Sequence, residues 1–188
     1  MGLSPPTICC DSQLVLRPVR LEHAAQVFRI VDSERAYLGR WLPWVVHTRT
    51  VIPLKQFIRE SIQLHQEGER FTWFIWYEEQ IVGSLSINAI DKDHRSAEIG
   101  YWLSQYYQGR GIMTRSVAAV LDFGFNHLAL NRVVIRTPAD NQRSRAVAER
   151  LGFQFEGIMR QSLKLADGFH DLALYSCLRQ EWEAAHNR

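Results

Sequence analysis

The sequence predicts a mixed α/β domain with a central, mostly antiparallel sheet flanked by helices. Runs of branched and aromatic residues with strand-like alternation occur early, midway and late in the chain, and helical periodicities separate them. The length of 188 residues suits one well-cored domain and is short for two. Hydrophobic residues make up 46% and charged residues 22%, a balance that fills a core without metals or disulfide staples.

Residues 1–12 read as a loose tail, and residues 13–188 as the single domain. "QLVLRPV" (Gln13 to Val19) alternates as a first strand and closes at Pro18. A helix follows from Leu21, with Leu21, Ala24, Ala25, Phe28 and Val31 at helical spacing. The stretch "YLGRWLPWV" breaks that pattern and reads as an aromatic-rich loop, whose Trp41 and Trp44 pack on the core or wall a substrate cleft. Pro53 opens a second helix with Leu54, Phe57, Ile58 and Ile62 on one face, ending at Gly68. "FTWFIWY" and "IVGSLSINAI" read as a hairpin across "EEQ", and "SAEIGYWL" extends the meander to Leu103. Beyond the glycines of "YYQGRGIM", Met113, Val117, Val120, Leu121 and Phe125 line a helix. "RVVIRT" is then a strand, "NQRSRAVAERLG" a helix from Asn141 to Gly152, and "FQFEGIMRQSLKL" with "FHDLALYSCL" a last hairpin.

Several function classes lack support. A formal net charge of +2 gives no field that argues for nucleic acid or an anionic membrane as partner. The three cysteines form no zinc spacing, and the neighbours Cys9 and Cys10 are poorly placed to pair, so free thiols in a reducing cytoplasm are expected. "MGLSPPTICC" has no basic and apolar signal regions, and no apolar run approaches a membrane span. The chain reads as cytoplasmic.

Gly109 and Gly111 stand one residue apart between a strand and a helix, where unpaired N–H groups and the helix dipole favour an anion that bare backbone lets approach. A dinucleotide site wants G-x-G-x-x-G, but Thr114 holds the third position and the preceding strands read as hairpins. A Walker A loop wants G-K-[ST], and Ile112 follows Gly111. Coenzyme A, with its pyrophosphate, is the third class. Gln108-Gly109-Arg110-Gly111-Ile112-Met113 resembles the Q/R-x-x-G-x-G/A motif of the GNAT superfamily of N-acetyltransferases, with Met113 departing from the small third residue. "AEIGYWL", "LNRVVIRT", "DNQRSRAVAERLGFQFEG" and "DGFHDLALYS" are similar to the RimJ/RimL-like branch, which includes ribosomal-protein serine acetyltransferases and tolerates that methionine. The resemblance spans roughly residues 12–184 and implies the GNAT fold and acetyl-CoA as cosubstrate, with no metal.

The resemblance implies roles residue by residue. Tyr101, Trp102 and Leu103 would pair by backbone with the pantetheine amides, Gln108, Gly109, Arg110, Gly111, Ile112, Met113 and Thr114 would hold the pyrophosphate, and Arg110 and Arg115 would balance its charge. Asn141 would bond the pantetheine arm, beside an ordinary role as helix N-cap. The tyrosine that many members use to protonate the thiolate falls at Ala148, whereas Ser144 matches the serine of the RimL-like branch. The branch's glutamate base falls at Leu163, leaving Glu98 as the next base, acting through water. A weak base suits an α-amine, whose pKa of about 7.7 to 8.0 leaves it partly neutral at pH 7, better than lysine at about 10.4. A protein N-terminus, with a ribosomal protein's serine as the specific expectation, is thus the acceptor implied. A polyamine or antibiotic, or a sensor that binds acetyl-CoA without turnover, are the alternatives. Homodimers occur among such relatives. His170 and Asp171 are strand neighbours facing opposite ways, and Tyr175 reads as core, so neither is assigned chemistry.

Overall fold

A computed structural model describes residues 5–186. The chain has the mixed α/β fold that the sequence predicts, built on a single open sheet flanked by helices. Its contacts cluster into two compact units interleaved along the sequence, Met1–Ser86 with Tyr101–Ile112, and Ile87–Gly100 with Met113–Arg188.

The first unit carries β1 (Ile8–Cys9), β2 (Leu14–Pro18) and β3 (Phe71–Tyr77), the start of β4 (Gln80–Asp91) and the end of β5 (Ser96–Leu103). The pairs β1–β2 and β2–β3 are antiparallel. β1 corrects the expected loose tail: Ile8 lies opposite Leu16 and Cys9 opposite Val15, and the Trp73 indole donates to the Pro6 carbonyl at 2.8 Å. Two residues form too weak a sequence signal for a strand. Residues 1–4 of that tail lie outside the described residues. Helix α1 (Ala24–Ser33) and helix α3 (Val51–Glu67) bury Val27, Val31, Leu54 and Ile58 in one cluster with Phe74. Helix α3 begins before Pro53, because the Thr50 hydroxyl accepts from the Ile52 N–H at 3.3 Å and caps it. The aromatic stretch is more ordered than a loop: helix α2 (Arg35–Leu38) and a 3₁₀ turn (Pro43–Val46) flank its middle. Arg35 closes it by donating to the carbonyls of Val45 and Thr48, each at 2.7 Å.

In the second unit, β5 pairs in parallel with β6 (Arg132–Pro138) from Ser96↔Arg132 to Glu98↔Val134. β6 pairs antiparallel with β8 (Gly168–Leu178), which pairs antiparallel with β7 (Gln154–Leu165), so the last strand lies between the two before it. Glu156 on β7 binds both terminal nitrogens of Arg132 on β6 at 2.6 Å and accepts from Ser176 on β8 at 2.7 Å. The Arg132 guanidinium and the Ser176 hydroxyl hold its carboxyl down at about 2. Helix α4 (Ile112–Asn126) buries Val117, Val120, Leu121 and Phe125, and α5 (Gln142–Arg150) buries Val147 and Ala148. A further helix, α6 (Arg179–His186), follows the final hairpin, where the sequence reading stops at the strand. Its Trp182 is buried, and the indole donates to Asp122 at 2.7 Å. Among the described residues, Cys9, Cys10 and Cys177 are thiols outside any disulfide, and burial pushes the Cys177 thiol up to about 12. Among the described residues no helix is long and apolar enough to cross a membrane.

Candidate active site

β5 ends at Leu103, and the chain reverses through the buried Ser104 into a 3₁₀ turn, Gln105–Tyr107. Gly109 at φ 74° and Gly111 at φ 68° then carry the backbone to Ile112, where α4 begins. Both glycines occupy the left-handed region that a side chain disfavours. A Cβ built on Gly109 would meet no atom within 4 Å, so conformation and open approach, rather than packing, call for glycine there. Ile112 and Met113 are buried at 1% and 6% exposure, which explains how methionine replaces a small residue: its side chain enters the core and leaves only backbone to a ligand. The first N–H groups of a helix have no intrahelical acceptors, and this helix of 15 residues adds its dipole. Bare backbone, a helix N-terminus and the guanidinium of Arg110, stacked 5.3 Å from the Tyr107 ring, together suit a pyrophosphate.

The strand before the turn depends on a glycine that the sequence reading passed over. A Cβ on Gly83 would lie 2.3 Å from the Trp102 carbonyl oxygen, so β4 can approach Tyr101–Leu103 only without a side chain there. These three residues are half-buried, and the Trp102 ring lies 6.3 Å from that of Trp44, which packs against the apolar cluster beneath. Trp41 instead carries the Arg40 guanidinium over its ring at 4.7 Å.

In the second unit, Asn141 and Ser144 meet at the start of α5. The Asn141 Oδ1 accepts from the Ser144 N–H at 3.2 Å, the N-cap arrangement, and both side chains are half-buried. Ala148 is fully buried on that helix and offers no proton donor. Glu98 is an ion-pair partner: it accepts from Arg136 Nε at 2.9 Å and also from Nη2, and this bond holds the Arg136 guanidinium above the ordinary arginine range. To act as a base, Glu98 would have to yield part of that pairing. Leu163 lies opposite His170 in the β7–β8 register. His170 pairs with Asp167 in the hairpin turn at 2.7 Å, while Asp171 accepts from the Gln161 N–H at 2.8 Å where the register of β7 shifts, so the two neighbours have separate structural partners. Tyr175 is buried, donates to Glu149 at 2.7 Å and accepts from Arg145 at 2.9 Å, a core role. Among the described residues no group of three or more His, Cys, Asp or Glu is placed to hold a metal.

Sequence reasoning also missed the groups that brace the turn from α1 and α2. The Glu34 carboxylate accepts from the Ser104 hydroxyl at 2.5 Å and from the Gln105 N–H at 2.7 Å, and the Tyr37 hydroxyl accepts from the Gln108 side-chain amide. Partners some seventy positions apart carry no local signature.

Fold and turn define an α/β protein whose strand-to-helix junction has geometry suited to a phosphate-bearing ligand. The chain belongs to the family described as the acetyltransferase (GNAT) domain, which it matches over residues 13–154, and it is an acetyltransferase of the RimJ/RimL-like branch. It is 31% identical to the putative ribosomal N-acetyltransferase YdaF of Bacillus subtilis, over 92% of this chain and 95% of that one. It is 30% identical to the ribosomal-protein-serine acetyltransferase of Escherichia coli, over 90% of this chain and 95% of that one. Among solved structures, RimL, the ribosomal L7/L12 alpha-N-protein acetyltransferase in complex with coenzyme A, superposes with a TM-score of 0.90 at 31% identity. That match covers 94% of this chain and 99% of the other.

Proposed function

We propose that this protein transfers the acetyl group of acetyl-CoA to the α-amine of a protein N-terminus, with a serine-starting ribosomal protein as the first acceptor to test. The observation that carries this reading is the turn at Gly109 and Gly111, two left-handed glycines opening the helix α4. The names of the relatives supply the acceptor class. Residues 13–188 work as one cytoplasmic acetyltransferase domain, with a homodimer as the assembly to test.

In this reading the backbone of Tyr101, Trp102 and Leu103 pairs with the pantetheine amides, and residues from Gln108 to Thr114 hold the pyrophosphate. Asn141 serves both as the N-cap that it is and as a partner of the pantetheine arm. Acetyl-CoA supplies the thioester that the acceptor amine attacks directly. Ser144 donates a hydrogen bond to the departing sulfur. A thiol pKa of about 8.5 lies only about 1.5 units above neutrality, so the help required is about 2 kcal/mol. Glu98 takes the amine proton through water, on loosening its bond to Arg136. The acceptor's own acidity lightens that task, since an α-ammonium at about 7.7 to 8.0 is already partly deprotonated at pH 7.

The test is release of coenzyme A from acetyl-CoA by the purified protein, with peptides, polyamines and antibiotics as acceptors and acceptor mass followed in parallel. A serine-starting peptide gaining one acetyl group at its α-amine is the expected result. Turnover on polyamines or antibiotics alone would move the acceptor class, and tight cofactor binding without turnover on any acceptor would replace the enzyme by a sensor.

A further inference from the structure

The glycine turn is held from outside. Helix α1 ends at Ser33, and Glu34 follows with non-helical dihedrals of −111° and 22°. Its side chain turns inward, leaving the residue 3% exposed. Burying a carboxylate is costly unless its oxygens are satisfied. Both oxygens are satisfied by one short segment: Oε1 by the Ser104 hydroxyl at 2.5 Å and Oε2 by the Gln105 N–H at 2.7 Å. The carboxylate thereby caps the 3₁₀ turn Gln105–Tyr107, a role that no side chain within that turn fills. Three residues after Glu34, the Tyr37 hydroxyl accepts from the Gln108 amide, the last side chain before Gly109. One brace therefore grips the base of the turn and the other its shoulder, both from the α1–α2 corner. The Ser104 N–H also donates to the Val82 carbonyl at 2.8 Å, which ties the base of the turn to β4.

We propose that Glu34 and Tyr37 are positioning residues that preset the glycine turn, and so govern affinity for the pyrophosphate half of acetyl-CoA without touching it. This rests on the reading of the turn as the pyrophosphate site. Two left-handed glycines give an unbraced segment wide conformational freedom, so a flexible turn would have to be ordered by the ligand at the expense of affinity. Bracing it beforehand removes that cost.

The experiment compares Glu34→Gln and Tyr37→Phe with the wild type in three measurements. These are coenzyme A affinity by titration calorimetry, kcat and KM with acetyl-CoA against acetyl-pantetheine, and hydrogen exchange of the amides of residues 105–111 without ligand. Loss of such bonds, charge-assisted at Glu34 and neutral at Tyr37, predicts coenzyme A affinity weaker by up to about tenfold and an equal rise in KM for acetyl-CoA at unchanged kcat. Exchange in the turn is faster, while KM for acetyl-pantetheine, which lacks the pyrophosphate, stays put. Equal losses toward both donors would mean general damage and would overturn the proposal. So would wild-type affinity and exchange in both variants while the wild type binds coenzyme A tightly. A wild type without affinity for coenzyme A would instead bring down the cofactor reading, and this proposal with it. Should Glu34→Gln fail to fold, Tyr37→Phe at its half-buried ring carries the same comparisons.

Discussion

Single side chains in this protein show how burial assigns a job that residue type alone leaves open. His65 is 4% exposed, and its Nε2 accepts from the Thr72 N–H at 2.8 Å, which requires the neutral ring. Burial first, and the charge of Arg70 second, lower its pKa from 6.5 to about 4. The unfolded chain takes up a proton on this ring near 6.5 and the folded one only near 4, so protonation favours unfolding. Its contribution is complete above pH 6.5 and declines toward pH 4, by up to about 3 kcal/mol. Urea denaturation across that window should show the decline, and His65→Gln should flatten it. Ser144 is a different case, since its backbone is fixed by the Asn141 cap while its assigned chemistry belongs to the side chain. Ser144→Ala should lower kcat about tenfold with coenzyme A affinity intact, as expected for one hydrogen bond made to the departing sulfur. An unchanged kcat would remove the residue from the reaction.

At the scale of elements, close approach of backbones positions β5. Gly83 lets β4 reach the Trp102 carbonyl, and a methyl group at 2.3 Å from that oxygen forces one strand to move. Gly83→Ala should therefore destabilise the fold by about 2 kcal/mol or more and weaken coenzyme A binding in the same variant, read by denaturation and calorimetry. Stability lost with affinity intact would separate β5 from the cofactor. "IVGSLS" reads as a strand with an unremarked glycine, since its need appears only once the neighbouring carbonyl is placed. The short elements escaped the sequence for a similar reason. The carbonyls that Arg35 binds are ten and thirteen positions away, so "YLGRWLPWV" looks like a loop until the guanidinium joins them.

For the whole molecule, strand order constrains what can be removed. The match to the family ends at residue 154, where β7 begins, yet β8 lies between β6 and β7 and pairs with both. A chain ending at Gln154 should lack cooperative thermal unfolding of the second unit by circular dichroism, because β6 loses its antiparallel neighbour and the Arg132–Glu156 bond disappears with it. Sharp two-state melting of that chain would show that β7 and β8 are dispensable.

The long periodic elements, the glycine turn and the Asn141 cap were legible in the sequence because their causes are local: side-chain period, missing Cβ and an amide three residues from its N–H. Those same local patterns carried the family resemblance. Only the tertiary structure decided that Glu98 answers Arg136, that Met113 enters the core, that Pro6 and β1 are tied down, and that Glu34 and Tyr37 support the turn. Each of these depends on a partner distant in sequence or on a burial that no short window contains. Periodicity shows which face of an element is apolar, but not which charged or polar group the folded chain brings against it.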